Sequence, residues 1–242
     1  MKYPNCYPLL AGMPKITKNI NDVCLIVQAR LNSERVHQKM MRDFNGTNLF
    51  SLALDKILKS KVVPRNNFFV SVYDDVFKQI AQKKKVQVFN RSYESANNDN
   101  SLKAIYGWHD KLPFKYVIIV NACAPLLKVE TIDDFVSTFL EQDEEGLFGA
   151  IKTKDYYFNQ DGSLITSWPE SQTIMNTKVV EVTYKAAHVL YASRMDTIKD
   201  NIFMGDFQQG IKLYEMDELE CFDIDYEWQF ELAKQLYRRE IK

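Results

Sequence analysis

Two continuously apolar runs, VCLIV (23–27) and KYVIIV (115–120), constrain the fold of this chain more than any other feature. The first run is bounded by Asp22 and by the polar QARLNSER, and neither run shows the alternation of a half-exposed strand. Each therefore predicts a strand that is buried on both faces, as in a parallel sheet covered by helices.

Predicted helices alternate with strands over the first 142 residues. Helical spacing predicts a helix at 49–60, and strands and helices then follow one another up to residue 142. The further predicted strands are 68–72, 86–89 and 115–120, and the further predicted helices are 75–85, 101–112 and 129–142. With right-handed crossovers, this order predicts a three-layer α/β/α domain with a mostly parallel sheet.

The second half is rich in Val, Tyr, Phe and Ile and carries turn signals such as Asp161-Gly162, which predicts strands, some of them antiparallel. These strands are 147–159, 161–168, 177–192 and 211–216. The sheet is therefore expected to be mixed, with a small β-rich insertion at 151–192. The last helix is predicted in DYEWQFELAKQLYRRE (225–240), with Trp228 and Phe230 on its buried face.

Composition limits the classes of partner. The chain has 242 residues, 46% of them apolar, so residues 23–242 are predicted to form one domain after an extended segment at 1–22. A formal charge of -1 gives no global attraction to nucleic acid or to an anionic membrane, and neither partner is expected. No apolar run fits a signal sequence or a membrane span, and the four cysteines form no zinc motif, so a cytoplasmic protein with reduced thiols is expected.

The loop after the first strand, QARLNSERVHQK (28–39), is the first candidate site. It presents Arg30, Arg35 and Lys39 at the carboxyl edge of the sheet, where open α/β folds bind ligands. Guanidinium and ammonium groups of this kind suit a polyphosphate, although a solvated, charged surface loop explains them equally well. The loop lacks the glycines of a P-loop or a dinucleotide fingerprint, so neither of those folds is supported.

The second candidate is CFDIDYEWQF (221–230), in which Asp223 and Asp225 flank Ile224. Residues two apart in an extended segment project to the same side, so both carboxylates can bind one hard cation such as Mg²⁺. The alternative is that one Asp caps the last helix and the other is solvated.

Two weaker candidates lie further along the sheet. The strand end VNACAPLL (120–127) has small residues before Pro125, which leave room for a ligand or form a structural turn. His188 lies on an apolar strand, where a satisfied core histidine is the commoner role. Tyr191 and the other tyrosines of that region are expected to pack in the sheet.

Three segments in this order resemble the acylneuraminate cytidylyltransferase family, the CMP-sialic acid synthetases and their relatives that act on 3-deoxy-manno-octulosonic acid (Kdo), legionaminic acid and pseudaminic acid. The segments are CLIVQARLNSERVHQK, VIIVNACAPLL and FDIDYEWQFELA, and the resemblance spans residues 23–237. The family's opening pattern A-R-x-G-S-x-R-x-P-x-K-N has its matches here at Ala29, Arg30, Ser33, Arg35 and Lys39. Departures from it are Asn32 for Gly, His37 for Pro and Met40 for Asn.

The later motifs match the family unequally. The D-I-D metal motif is intact at 223–225, and Arg91 and Ser101 resemble the family's nucleotide-binding Arg and Ser. Only Pro125-Leu126 remains of the Q-P-T-S-P-L strand end. Where relatives have E-N-G-A-I-Y-I, on the acceptor side, this chain has YKAAHVLY (184–191).

The resemblance implies a Mg²⁺-dependent transfer of CMP from CTP to an acidic sugar, with release of pyrophosphate. It implies catalytic roles for Arg30, Lys39 and Asp225, and a metal site at Asp223 and Asp225. The nucleotide site that it implies consists of Ala29, Arg30, Ser33, Arg35, Lys39, Arg91 and Ser101. Lys185 and His188 are hypothetical acceptor contacts, and relatives suggest a homodimer formed through 151–192.

Two alternatives remain open at this point. One is a nucleotidyltransferase of the same fold that uses another acceptor, such as a sugar phosphate or a phosphonate, or another base. The other is a catalytically inactive nucleotide-binding or scaffold protein, because part of the loop pattern and of the strand-end pattern is missing.

Overall fold

The structure is a computed structural model that describes residues 18–97, 101–202 and 211–240. Its seven described strands form one sheet in the order β3-β2-β1-β4-β6-β5-β7. The strands are β1 (Val23–Gln28), β2 (Phe68–Val72), β3 (Gln87–Asn90), β4 (Tyr116–Val120), β5 (Leu147–Thr153), β6 (Thr183–Arg194) and β7 (Lys212–Glu215). The helices are α1 (Leu49–Ile57), α2 (Asp75–Lys83), α3 (Tyr93–Asn97), α4 (Leu102–Ile105), α5 (Val129–Glu141) and α6 (Glu227–Glu240).

The sheet is mixed and mostly parallel, which confirms the predicted fold class. β1 pairs in parallel with β2 and β4, and β2 pairs in parallel with β3. β6 runs antiparallel to both of its neighbours, β4 and β5, while β5 and β7 are parallel. Among the described strands β6 alone is reversed, so the carboxyl ends of β1, β3 and β4 meet along one edge.

Both faces of the sheet are covered, as the apolar run at 23–27 predicts. The side chains of Val23, Leu25 and Val27 pack into a core cluster that also contains buried residues of α1, α2, α5 and α6. Cys24 and Ile26 point to the opposite face and belong to a second cluster around Trp108. No helix within the described ranges is long and apolar enough to cross a membrane.

Polar residues begin the helices that border the carboxyl edge. The Asn48 side chain accepts a hydrogen bond from Ser51 N–H at the start of α1, and the Ser101 hydroxyl accepts one from Ala104 N–H at the start of α4. α4 ends at Ile105, so the predicted helix at 101–112 was wrong beyond that residue. Turns replace it and bring the fully buried Trp108 against the sheet.

The predictions for the second half were the least accurate. No strand forms at 161–168, where the described backbone has one isolated bridge between Phe158 and Leu164, and the predicted strand at 177–192 begins only at Thr183. Residues 154–182 are thus mostly turns and irregular backbone rather than a β-rich insertion, because no neighbouring strand pairs with them. The turn at Asp161-Gly162 is present, with Gly162 at φ +84°.

Two smaller predictions concern the ends of the chain. Trp228 is 62% exposed, so the buried face of α6 contains Phe230 and Ala233 but not Trp228. Most of the predicted extended segment at 1–22 lies outside the described residues, and its last part, Ile20–Asp22, forms a short 3₁₀ turn. Cys24, Cys123 and Cys221 are buried free thiols, and Cys6 lies outside the described residues.

Candidate active site

A cleft of about 680 Å³ opens where β1, β3 and β4 end. Its walls come from the loop after β1, the first residue after β3, the end of β4, the middle of β6 and the segment before α6. The lining residues are Gln28, Ala29, Arg30, Ser33, Glu34, Arg35, Lys39, Met40, Arg91, Ile105, Tyr106, Ile119, Val120, Asn121, Cys123, His188, Tyr191, Asp223 and Asp225. The sheet therefore brings together residues that are almost 200 positions apart in sequence.

The loop after β1 is held at both ends by contacts with the rest of the fold. Ala29 N–H donates to the Ser71 carbonyl (3.3 Å), and Leu31 N–H donates to the Asp74 carboxylate (3.1 Å). Further along the loop, Val36 is buried in the core, at 1% exposure. Between these anchors, Arg30, Ser33, Glu34 and Arg35 line the cleft.

Two cations of this loop lie beside Asp225. The Arg35 guanidinium is 2.7 Å from the Asp225 carboxylate, whose negative charge raises the pKa of Arg35. The Lys39 ammonium lies 3.9 Å from the same carboxylate and donates to the Ile224 carbonyl. The Lys39 side chain is only 13% exposed, against 58% for Arg35, so Lys39 is the more firmly placed of the two.

The two aspartates of the 223–225 segment face the same cleft, as their spacing predicts. Ile224 lies between them, fully buried, and its N–H donates to the Cys123 carbonyl. The Gln229 side chain accepts hydrogen bonds from the N–H groups of Asp225 and Tyr226, and thereby caps α6. The capping alternative is thus met by Gln229, which leaves both carboxylates directed to the cleft.

Asp223 is the more unusual of the two carboxylates. Its Oδ1 atom is buried and has no hydrogen-bond partner. Burial raises the pKa of Asp223, the positive charge of Lys39 opposes that rise, and the negative charge of Asp225 adds to it. A buried oxygen of this kind is costly unless a cation or a ligand pairs with it.

The opposite wall is formed by β4 and by a bulge in β6. The pairing register of β5 and β6 shifts between Phe148 and Ala150, and within the looped-out part His188 has a left-handed backbone, at φ +57°. Its carbonyl accepts a hydrogen bond from the Asn121 side chain (2.8 Å), and its Nδ1 lies 3.0 Å from the Tyr191 hydroxyl. His188 is exposed in the cleft, so the expectation of a satisfied core histidine was wrong.

The remaining predicted site residues divide into two groups. Ala29, Arg30, Ser33 and Arg91 line the cleft, and Arg91 is buried with its guanidinium held by the hydroxyl and the carbonyl of Ser95. Ser101 caps α4, and Lys185 is an exposed residue of β6 opposite Ile151. Neither Ser101 nor Lys185 is a lining residue of the cleft.

Several lining residues were not predicted as site residues. Gln28 ends β1 and Glu34 belongs to the polar loop after it, so their positions beside Arg30 and Arg35 offered a signal. Tyr106 and Tyr191 offered none, because tyrosines on strands and short helices usually pack in the core. Tyr191 does pack against Phe148, as expected, and its hydroxyl also reaches His188 in the cleft.

The match to a family of known proteins covers nearly the whole chain. The family described as Cytidylyltransferase matches residues 24–241. No curated protein matches the chain in sequence.

Three solved structures share the fold. A CMP:2-keto-3-deoxy-manno-octonic acid synthetase complexed with CTP is 12% identical, with a TM-score of 0.65 over 90% of this chain and 99% of its own. A cytidylyltransferase from Leptospira borgpetersenii serovar Hardjo-bovis is 17% identical, with a TM-score of 0.60 over 90% and 87%. A 4-diphosphocytidyl-2C-methyl-D-erythritol synthase from Anaerococcus prevotii is 12% identical, with a TM-score of 0.63 over 91% and 98%.

Proposed function

The chain belongs to the cytidylyltransferase family, and from this premise we propose that it transfers CMP from CTP to an acidic sugar of the sialic, nonulosonic or Kdo-like class. One observation carries the proposal. Arg35 and Lys39 meet Asp225 in one cleft at the carboxyl edge of the sheet, and beside them lies Asp223, whose buried Oδ1 atom has no hydrogen-bond partner. Cations for a polyphosphate and carboxylates for a hard cation thus occupy the same site.

The triphosphate would lie along the loop after β1. Arg30 and Lys39 are the proposed triphosphate ligands, with Arg35 in a lesser role because it is exposed and already paired with Asp225. Their positive charges would neutralise the pyrophosphate as it leaves. The backbone near Ala29, together with Ser33 and Arg91, is proposed to hold the rest of the nucleotide. Ser101 is a weaker proposal, because it caps α4 outside the cleft lining.

The two aspartates fit a Mg²⁺ ion. No group of three or more His, Cys, Asp or Glu residues in the described chain can hold a metal alone, but Mg²⁺ is commonly bound by one or two carboxylates plus substrate phosphates and water. The unpaired buried oxygen of Asp223 is the kind of atom that a cation would satisfy. When bound, the ion would screen the charges of the phosphates. Asp223 and Asp225 would hold it.

The reaction needs no nucleophile from the protein. An acceptor hydroxyl would attack the α-phosphorus of CTP in line and release its proton to solvent, while the bond from the α-phosphorus to the oxygen shared with the β-phosphate would break and pyrophosphate would leave. The role of the chain is then to position the two substrates and to neutralise charge. Lys39 is suited to this role because its ammonium is fixed by the Ile224 carbonyl.

The acceptor would lie against the wall formed by β4 and β6. His188 lines this wall, and it is the only residue among the described lining positions of β4 and β6 that can carry a positive charge. We therefore propose His188 as a contact for the acidic group of the acceptor. Lys185 stays a weaker proposal, because it is exposed on β6 outside the cleft lining.

The nucleotide is tested by thermal unfolding with CTP, UTP, ATP and GTP, each with and without Mg²⁺. A ligand at 100 times its Kd stabilises a protein by about 2.7 kcal/mol, which corresponds to roughly 5–11 °C for a domain of this size. A Mg²⁺-dependent shift that is largest for CTP supports the proposal. No shift with any nucleotide would refute it in favour of an inactive scaffold.

The acceptor is tested next by pyrophosphate release from CTP. A panel of sialic, nonulosonic and Kdo-type acids is compared with sugar phosphates and phosphonates. Release with an acid alone supports the proposal. Release with a phosphorylated acceptor would favour a related nucleotidyltransferase, a candidate that the departure from the family pattern at 184–191 keeps open.

We also propose that the chain forms a homodimer through residues 151–192. This segment exposes large apolar side chains, among them Ile165, Trp168, Ile174 and Met175. Apolar surface of this kind is typical of protein interfaces. Light scattering at micromolar concentration should give twice the mass of 28.3 kDa, and Ile174→Asp should lower it towards the monomer value. A monomeric mass for the wild-type chain would contradict the dimer.

A further inference from the structure

Gln28, the last residue of β1, lines the cleft directly before the loop that carries Arg30. Its side chain lies on the same face of the sheet as Cys24 and Ile26, and this is the face covered by Trp108. The polar side chain of Gln28 therefore lies between the buried core around Trp108 and the cleft.

The contact with Trp108 determines how the Gln28 amide is oriented. Trp108 is fully buried, and its Nε1–H donates to the Gln28 side-chain oxygen over 3.3 Å. An indole nitrogen can only donate, so the amide oxygen must face Trp108 and the amide NH₂ group must face away from it. The buried tryptophan thus orients the amide before any ligand arrives.

The NH₂ group of Gln28 has no acceptor within the described protein. It is also absent from the buried unpaired atoms of the described chain, which are Ser71 Oγ, Gln142 Oε1 and Asp223 Oδ1. The group is therefore accessible from the cleft that Gln28 lines. It offers two fixed hydrogen-bond donors to whatever binds there.

The neighbouring residues indicate which part of a nucleotide meets this donor. Tyr106 packs its ring against Trp108 at 5.3 Å, and Ile105, Tyr106 and Arg91 line the cleft on this side. The aromatic ring of Tyr106 and the apolar side chain of Ile105 suit a nucleobase, whereas Arg35 and Lys39 mark the proposed phosphate region around Asp225.

We propose that Gln28 determines base specificity by donating its amide N–H to N3 of cytosine. The inference rests on the proposed function, since it assumes that CTP occupies this cleft. Cytosine N3 is a hydrogen-bond acceptor, while uracil N3 carries a hydrogen and would oppose the donor. Because Trp108 prevents the amide from reversing, the site favours CTP over UTP.

The test is the ratio of the Kd values for CTP and UTP, measured with Mg²⁺ on the full chain. Gln28→Glu keeps an acceptor for Trp108 and turns the donor into an acceptor. The added charge acts equally on both triphosphates, so it cancels in the ratio. The preference for CTP is expected to fall about tenfold, as for the loss of a good hydrogen bond. Gln82→Glu adds the same charge at an exposed position of α2, outside the cleft lining, and should leave the ratio unchanged.

Gln28→Met is the second variant, in case Gln28→Glu fails to fold. It removes the donor without adding charge, and the preference for CTP should fall about threefold to tenfold. An unchanged ratio in a folded variant of either kind overturns the inference while CTP binding upholds the proposed function. Equal binding of CTP and UTP by the wild-type chain also overturns the inference. A wild-type chain that binds no nucleotide overturns the proposed function and the inference together.

Discussion

The two walls of the cleft differ in how they are built. The nucleotide wall, defined as the loop 28–40 with Arg91, follows parallel strands and is anchored by backbone hydrogen bonds and by buried Val36. The acceptor wall, defined as Asn121, His188 and Tyr191, depends on a bulged antiparallel strand with one left-handed residue. The first keeps the charges of the family pattern, and the second departs from it. The first wall is the one proposed to hold the phosphates, and the second is the one proposed to receive the acceptor.

The largest expected effect is on the nucleotide wall. Lys39→Ala removes an ammonium that is fixed between the Ile224 carbonyl and Asp225. The rate of pyrophosphate release should fall by about 10²–10³, as for the loss of one preorganised electrostatic contact. Lys59→Ala, at an exposed position after α1, is the control and should keep the wild-type rate. A Lys39→Ala rate within threefold of wild type would remove the assigned role.

The next largest effect is expected at Asp223, in the 223–225 segment that lies between the two walls. Burial raises the pKa of Asp223, because the negative charge of its carboxylate is unfavourable in the folded protein. Asp223→Asn removes that charge, so the metal-free variant should be about 1 kcal/mol more stable than wild type at pH 7. Protonation removes the same charge in the wild type, so the gain should shrink as the pH falls. The thermal shift with Mg²⁺ and CTP should be lost. An intact shift would show that Asp223 does not bind the ion.

On the acceptor wall, backbone strain and side-chain function can be separated at His188. Glycine tolerates φ +57° and alanine does not, so His188→Gly should unfold roughly 2–4 °C above His188→Ala, a difference of about 1 kcal/mol. Both variants lack the imidazole and should lose about tenfold in kcat/KM for the acceptor. The Kd for CTP should not change in either. A wild-type acceptor kcat/KM in His188→Gly would leave the histidine with no role in acceptor binding.

The smallest effect is expected at the far end of β6, outside the cleft. Arg194 donates to Asp196 and to Glu145, and its hydrogen bonds lower the pKa of Asp196. Arg194→Met should cost less than about 1 kcal/mol at pH 7, because the groups are largely solvated. This stabilisation of the folded protein is fully present above the ordinary pKa of an Asp carboxyl, and it is lost as the pH falls through the lowered pKa of Asp196. Lys59→Met, at an exposed position after α1, is the control and should leave the stability unchanged. A changed rate of turnover in Arg194→Met would contradict this separation from the cleft.

The sequence alone was sufficient for the parallel half and for most of the charged residues of the cleft. Continuous apolar runs such as 23–27 predict doubly buried strands, and the topology of such strands places the following loops at one edge. Arg30, Arg35, Lys39 and the 223–225 segment could be found this way because their chemistry and spacing are local properties.

Only the tertiary structure revealed the acceptor wall and the oriented amide of Gln28. The left-handed His188 follows from a register shift between β5 and β6, which no local spacing encodes. Gln28 acquires its orientation from Trp108, 80 residues away, and Trp108 lies in turns that follow α4, where the local pattern predicted a continued helix. Both depend on pairing and packing between distant segments, and these long-range contacts are decided when the core forms.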